Sequence, residues 1–385
     1  MDFNFKEEQL QFADALKRWM ERDYHFEARK KIIASPEGVS SAAWATLAEL
    51  GMMALPVPEE QGGFNGNAVD MHVVMKELGR GLVVEPYFAT MLGAEFLKRG
   101  GGHAVLLEQV AAGTLKLACA LHECQSRHDL ADIMTTAAAN GDGFVINGKK
   151  SVVVHGAEAN QLIVSARSSG GQRGHGGITL LLVPSDSAGL TITGYRSLDG
   201  QRAADLVFDQ VRVPASAVIG EAGAGWELLD ACADYGAALL CAESVGAMEA
   251  LFDTTLDYLK TRQQFGAPIG KFQALQHRMA DMYVHLEQAR SMALLAAVKA
   301  DAADPQERRS AVSAAKYRVG EAGRFIGQQA VQLHGGMGVT NELAAAHYFK
   351  RLAMIELTLG DGDHHLRRFM AQPGFAATNS QGEAA

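Results

Sequence analysis

Near the end of the chain, "LTLGDGDHHL" sets Asp361 and Asp363 on either side of one glycine and follows them with His364 and His365. Carboxylates and imidazoles at this density can hold a metal, move a proton or start a helix. The metal reading is the weakest. Adjacent histidines on a helix point about 100° apart. None of the 13 histidines forms an i, i+4 pair around a glutamate or a Cys/His ligand spacing, so no metal is expected.

Two further stretches could recognise an anion. "HGGMG", residues 334–338, offers backbone N–H groups unobstructed by Cβ, and a helix starting there would favour a phosphate. The preceding "AGRFIGQQAVQL" reads as helix, so these glycines equally suit a helix C-cap and do not make a strand–turn–helix dinucleotide fold. "TRQQFGAPIGKFQ", residues 261–273, sets Arg262, Gln264 and Phe265 before a Gly/Pro turn. The guanidinium fork suits a phosphate and the phenyl face suits a flat ring. Alone, the stretch equally suits a helix–helix turn with a solvated arginine.

The elements that must position these residues fall into three regions. At 385 residues, 48% hydrophobic and 21% charged, the chain can build two or three packed units. Net charge is −9 and no basic stripe is present, which argues against a nucleic-acid surface. No apolar run approaching about 18 residues is evident, and the N-terminus lacks the pattern of a secretory signal, so neither a membrane span nor export is expected. Four scattered cysteines without a C-x-x-C suggest reduced thiols in a cytoplasmic protein.

Residues 1–115 read as helical. Phe12, Leu16 and Trp19 recur at helical spacing, and "SPEGVSSAAWATLAELG" offers a Ser/Pro start, an apolar stripe and a Gly stop. Residues 116–225 hold short Val/Ile/Leu/Thr runs separated by turn formers, an all-β pattern, with Asn147-Gly148 expected at a hairpin turn. Residues 226–373 are helical again. Phe272, Leu275, Met279, Met282 and Leu286 form one stripe, more suited to bundle core than to a cofactor. A tail of 374–385 is expected to be disordered. The fold class is α+β: an N-terminal helical domain, a middle β-barrel or sandwich domain and a C-terminal four-helix bundle.

Taken together, "TRQQFGAPIGKFQALQHRMADM", "AVQLHGGMGVTNE", "PEEQGGFNG" and "LVFDQVRVPASAVIGEAGAGW" resemble motifs of the acyl-CoA dehydrogenase family, over essentially the whole chain. The resemblance implies FAD. Arg262 and Gln264 would reach the pyrophosphate of a neighbouring subunit's FAD and Phe265 its adenosine, while Gln332, Gly335 and Gly336 would line the pyrophosphate. An oligomer follows, either a homo-oligomer or a heterotetramer with a homologous large subunit. The implied substrate is an acyl-CoA, extending to a medium-chain dicarboxylyl-CoA such as pimeloyl-CoA. The implied acceptor is an electron-transfer flavoprotein or a similar protein.

Two places depart from the family pattern. The run usually reading T-E-P-x-x-G-S-D is here "HECQSRHD", so His122 and His128 replace the hydroxyl residues, while Glu123 and Asp129 are kept. W-I-T-N-G reads "VVVHG", with Val152 and Val154 at the flavin positions and the strand backbone the expected substitute contact. The catalytic glutamate is also missing from its usual stretch. Counting forward from Lys350-Arg351 puts Leu359 there; counting back from Leu366 puts Asp361 there, followed by Gly362, and this second alignment is preferred. Asp363 is expected to cap the following helix, with a further place among the cofactor-facing residues. An alternative base position on an earlier helix falls on Gly236, with Glu243 nearby but two turns on. A chain with no base, completing the site of a larger partner, is the competing reading, and other acyl-CoA chemistry such as oxidation by oxygen is a third.

Overall fold

The computed structural model describes residues 5–373, so the expected 374–385 tail lies outside the described residues. Two compact units emerge, each built from separated segments. Among the described residues, one comprises 5–27, 71–83 and 237–373; the other comprises 28–70 and 84–236.

In chain order the first helices are α1 (Glu7–Asp23), α2 (Phe26–Ala34), α3 (Ser41–Glu49), α4 (Ala68–Arg80), α5 (Tyr87–Gly100) and α6 (Ala104–Ala111). Strands follow: β1 (Leu117–Ala120), β2 (Thr136–Asn140), β3 (Gly143–Val154), β4 (Gln161–Arg167), β5 (Ile178–Pro184), β6 (Leu190–Arg196), β7 (Arg202–Pro214) and β8 (Val218–Ile219). Next come α7 (Trp226–Thr261), a small hairpin of β9 (Gln263–Gln264) and β10 (Ala267–Pro268), α8 (Gln273–Lys299), α9 (Pro305–His334), α10 (Ala344–Leu357) and α11 (Gly362–Met370). The helix–sheet–helix order matches the sequence expectation.

The helix starts follow capping chemistry. Ser40, not the Ser35-Pro36 pair, caps α3, its hydroxyl accepting from the Ala43 N–H at 3.2 Å. Asp304 caps α9 by accepting from the Gln306 N–H at 3.0 Å, with Pro305 in the first turn, where a missing N–H costs nothing. In α8, Met279, Met282 and Leu286 are buried as the stripe predicts, but Phe272 remains exposed. Helix α7 carries a stretch long and apolar enough to cross a membrane, which corrects the expectation of none; 94% of that window is buried inside the protein, as in a core helix.

Within the unit holding α4 and the later helices, two glycines explain a close crossing. A Cβ on Gly79 of α4 would lie 2.0 Å from the Glu243 carbonyl oxygen of α7, and one on Gly246 would lie 1.7 Å from that of Lys76. The helix propensity lost at each glycine, about 1 kcal/mol, is the cost of backbone-to-backbone approach.

In the other unit, the strands form an eight-stranded sheet ordered β6-β7-β3-β2-β4-β5-β8, with β1 parallel to β4. Asn147-Gly148 is not a turn. Strand β3 runs through it, and the register against β7 shifts between Ile146 and Gly148. The Asn147 side-chain oxygen accepts from the Gln210 N–H at 2.9 Å, so the pair makes a bulge. The real β2–β3 turn is Gly141-Asp142, whose first residue has φ +63°.

A buried ion pair sits inside this sheet. Lys150 donates to Glu123 Oε1 at 2.8 Å and to Ser165 Oγ at 3.1 Å. Glu123 also accepts from the backbone N–H groups of Met134 (2.8 Å) and Thr135 (3.1 Å). Burial pushes the Lys150 ammonium down to about 8 against the pull of Glu123. Burial opposes ionisation of Glu123 too, but the Lys150 charge and the donors around it hold its carboxyl below the usual range. Removing one partner strands the other, so Lys150→Met should destabilise this unit by about 3–5 kcal/mol. The double variant Glu123→Leu/Lys150→Met should lose less. Urea unfolding followed by circular dichroism checks this; equal losses in the two variants would contradict it.

Candidate active site

The opening segment resolves into a helix end, a strained turn and a new helix. Helix α10 stops at Leu357; Leu359 has φ +56° and Gly360 φ +109°, and α11 begins at Gly362. Asp361, not Asp363, is the N-cap: its carboxylate accepts from the His364 N–H at 2.8 Å. Asp363 is exposed in the first turn of α11, where a negative charge suits the helix dipole. The correction follows from the turn geometry, since the glycine between the two aspartates is already helical. His365 is buried, Nε2 donating to the Leu359 carbonyl at 3.0 Å and Nδ1 lying 3.5 Å from Ser313 Oγ. No group of three or more His, Cys, Asp or Glu suited to a metal occurs among the described residues.

Glu243, the other carboxylate considered, is spent. It receives Arg351 Nε at 2.6 Å and Nη2 at 2.8 Å, a buried two-point pair.

The anion-binding candidates lie in the same unit. Arg262 follows the end of α7, and the β9–β10 hairpin turns at Phe265 (φ +54°) and Gly266 (φ +77°). Phe265 is 90% exposed, and Arg262 and Gln264 are exposed beside it. No protein partner holds the Arg262 guanidinium among the described residues. "HGGMG" proves to be a helix end: α9 runs to His334, Gly335 (φ +59°) caps it, and a short 3-10 turn follows. The phosphate would therefore meet loop amides and not a helix dipole. A Cβ placed on Gly335 or on Gly336 would meet nothing within 4 Å, so the backbone there is open to close approach, although the Gly335 N–H is already donated to the Gln332 carbonyl; the Gln332 residue is itself exposed. The two patches share one end of the helices, because the Tyr258 ring of α7 lies 4.5 Å from that of His334. The open backbone at Gly335 and Gly336 and the unpaired Arg262 guanidinium fit a diphosphate.

In the β unit, Val152 sits at the second register shift of β3, with φ +54° and 51% exposure. Its N–H is already taken by Asp205 Oδ1 at 3.0 Å, so of the expected backbone substitutes this donor is occupied. Tyr195 donates to the same carboxylate oxygen at 3.1 Å. Val154 is half-buried and pairs with Ala203 of β7. His122 and His128 are half-buried, and the Ser151 N–H donates to the His122 carbonyl at 2.9 Å. Exposed Cys124 lies 3.0 Å from Ser151 Oγ. Sequence reasoning missed Lys150, Asp205 and Lys316. The only signal for the two lysines was a charge inside an otherwise apolar stripe or strand.

Several imidazoles are held neutral. Burial pushes His72 and His122 down to about 4, with Lys76 and His128 respectively adding like charge, and burial together with Lys316 pushes His365 well below its ordinary value. In the unfolded chain these rings protonate near pH 6.5. As pH falls from about 6.5 toward 4, the unfolded state takes up protons that the folded state refuses. Stability should therefore drop at up to about 1.4 kcal/mol per pH unit for each histidine. Melting temperatures measured between about pH 7.5 and pH 5 check this, and His72→Gln should flatten the slope.

Comparison with known proteins identifies the family. The acyl-CoA dehydrogenase N-terminal, middle and C-terminal domain families match residues 6–114, 118–211 and 223–372. A probable acyl-CoA dehydrogenase of Bacillus subtilis, YngJ, is 31% identical across 96% of this chain and 98% of its own. Butyryl-CoA dehydrogenase from Megasphaera elsdenii superimposes with a TM-score of 0.88 at 25% identity, covering 98% of this chain and 100% of its own. The FAD complex of PigA does so with a TM-score of 0.88 at 26% identity over the same shares. The chain belongs to the acyl-CoA dehydrogenase family and is an FAD-dependent acyl-CoA dehydrogenase.

Proposed function

We propose that Asp361 takes the α-proton of a bound acyl-CoA while hydride leaves the β-carbon, giving the 2-enoyl-CoA. FAD supplies the two-electron acceptor for that hydride. The α C–H electrons become the new double bond and the proton rests on the aspartate. The observation that carries this assignment is the buried Glu243–Arg351 pair, which removes the competing carboxylate and leaves Asp361 in the stretch where the family keeps its base. An aspartate is one methylene shorter than glutamate, about 1.5 Å of reach. The strained Leu359-Gly360 turn can redirect the chain over that distance.

The proposed acyl group is a medium-chain dicarboxylate such as pimeloyl, because "VVEPYFATM" and "HYFKRLAMIELTLGDGDHHLRR" look most like the small subunit of pimeloyl-CoA dehydrogenase. Arg262, Gln264, Phe265, Gln332, Gly335 and Gly336 are proposed to hold FAD between subunits. His122, His128, Val152, Val154 and Asp363 are proposed to face it. Electrons would leave to an electron-transfer flavoprotein or a similar acceptor.

A second reading has its own support: the Asp361 carboxylate already serves as an N-cap, which suits a non-catalytic subunit that completes the site of a homologous larger partner.

Two experiments separate these readings. The purified chain alone should be yellow and should reduce an artificial electron acceptor with pimeloyl-CoA; an inactive chain that gains activity only with a partner favours the second reading. Asn caps a helix about as well as Asp. Asp361→Asn should therefore keep its fold and FAD yet lose about 10²-fold or more in kcat; full activity would end the base assignment. Arg262→Ala removes a charge-assisted contact of about 1.5–3 kcal/mol. It should weaken FAD retention about 10- to 100-fold, read as visible flavin absorbance after gel filtration.

A further inference from the structure

The turn carrying Asp361 is anchored from α9 by a lysine that the proposed chemistry does not use. Lys316 is buried on the face of α9 that also carries Val312, Ala315 and Val319. An ammonium has three N–H donors. Here they reach three carbonyls: Ile355 at 2.9 Å, Glu356 at 3.0 Å and Gly360 at 2.9 Å. The first two belong to the last turn of α10, where the Ile355 carbonyl also accepts from the Thr358 N–H at 3.2 Å. The third belongs to the residue immediately before Asp361. One cation thus ties the end of α10 to the start of the N-cap.

The Leu359 carbonyl accepts from His365, whose other nitrogen lies near Ser313 of α9. Arg368 donates to the same Ser313 hydroxyl at 3.1 Å. The turn itself is unfavourable: Leu359 is a non-glycine residue at φ +56°, and a Cβ on Gly360 would fall 2.6 Å from His364 Cδ2. Such backbone persists only when its surroundings over-determine it. Burying a whole ammonium for packing alone is costly, since an apolar side chain would fill the space without desolvating a charge.

We infer that Lys316 is the positioning residue of the proton-abstraction step, fixing the Gly360 carbonyl and so the direction in which the Asp361 carboxylate is presented. This inference rests on the reading of Asp361 as the base. Lys316 touches neither substrate nor cofactor in this role; it acts through the turn. Its loss should impair proton removal far more than binding.

The test uses the FAD-loaded protein and a thioester with sulfur in place of the β-carbon. That compound has no β-hydrogen to lose, so exchange of its α-hydrogen in D2O, followed by mass spectrometry, reads proton removal alone. Lys316→Met should slow both this exchange and kcat with pimeloyl-CoA by about tenfold or more. FAD content should be retained and KM should stay within about threefold. Exchange and kcat within about twofold of wild type would overturn the inference. Should Lys316→Met lose FAD, Lys316→Arg, which keeps the charge but not the three-way donor geometry, is judged by the same criteria. Loss of FAD in both variants, or KM rising as kcat falls, assigns Lys316 a general packing role and overturns the inference as well. Wild-type protein that catalyses no α-exchange removes the Asp361 reading itself, whereas normal wild-type exchange with an unaffected Lys316→Met removes only the role of the lysine.

Discussion

A carbonyl oxygen taken out of water needs a donor, and in the passage from α10 to α11 two side chains supply donors to the backbone. Ile355, Glu356 and Gly360 share the Lys316 ammonium, and Leu359 uses His365. Leaving the buried Gly360 carbonyl unpaired would cost about 1–3 kcal/mol, so the turn and the lysine are one device. Burial lowers the Lys316 ammonium to about 8, with Glu356 and Asp361 among the negative groups opposing that shift. At neutral pH it remains charged, and the segment that bears the candidate base is therefore organised by a buried cation from an earlier helix.

The β unit solves the same problem with the same means. Irregular backbone between β1 and β2 has no ladder to join, so the Met134 and Thr135 amides donate to Glu123, which Lys150 neutralises. Arg167 gathers the carbonyls of Ala131, Gln172, Gly174 and Gly176 from two loops at 2.6–2.8 Å. In each case a side chain with several donors or acceptors replaces secondary structure where the chain must bend. These are rigid solutions, suited to surfaces that hold a cofactor in one geometry.

In the proposed reading, this chain carries out proton removal and hydride transfer with an altered set of groups. Its candidate base doubles as a helix cap. The His364 amide donating to its carboxylate fixes its orientation. Val152, proposed to face the flavin, has no hydroxyl or aromatic ring to offer, and its amide is engaged by Asp205. Both changes move work from side-chain identity to backbone placement, which explains why a residue like Lys316 can matter without touching the reacting atoms.

The order of helices and strands was legible in the sequence, because hydrophobic periodicity reports local burial: the Met279, Met282 and Leu286 stripe and the Val/Ile-rich runs both mark real elements. Arg262, Phe265 and the glycines after His334 stood out in it as candidates, because their types suit a flat, charged ligand. The sequence could also bring attention to "LTLGDGDHHL". It could not divide labour between two aspartates two residues apart, because capping depends on where φ turns helical, and that is set by Lys316 and His365 from α9 and α11. Asn147-Gly148 shows the same limit: a local turn preference was overridden by thirteen residues of β7 lying alongside. That Glu243 is neutralised, that Lys150 faces Glu123 and that Lys316 reaches three carbonyls were decided only by tertiary structure. Each joins residues at least 27 positions apart, and sequence spacing carries no information about such pairs.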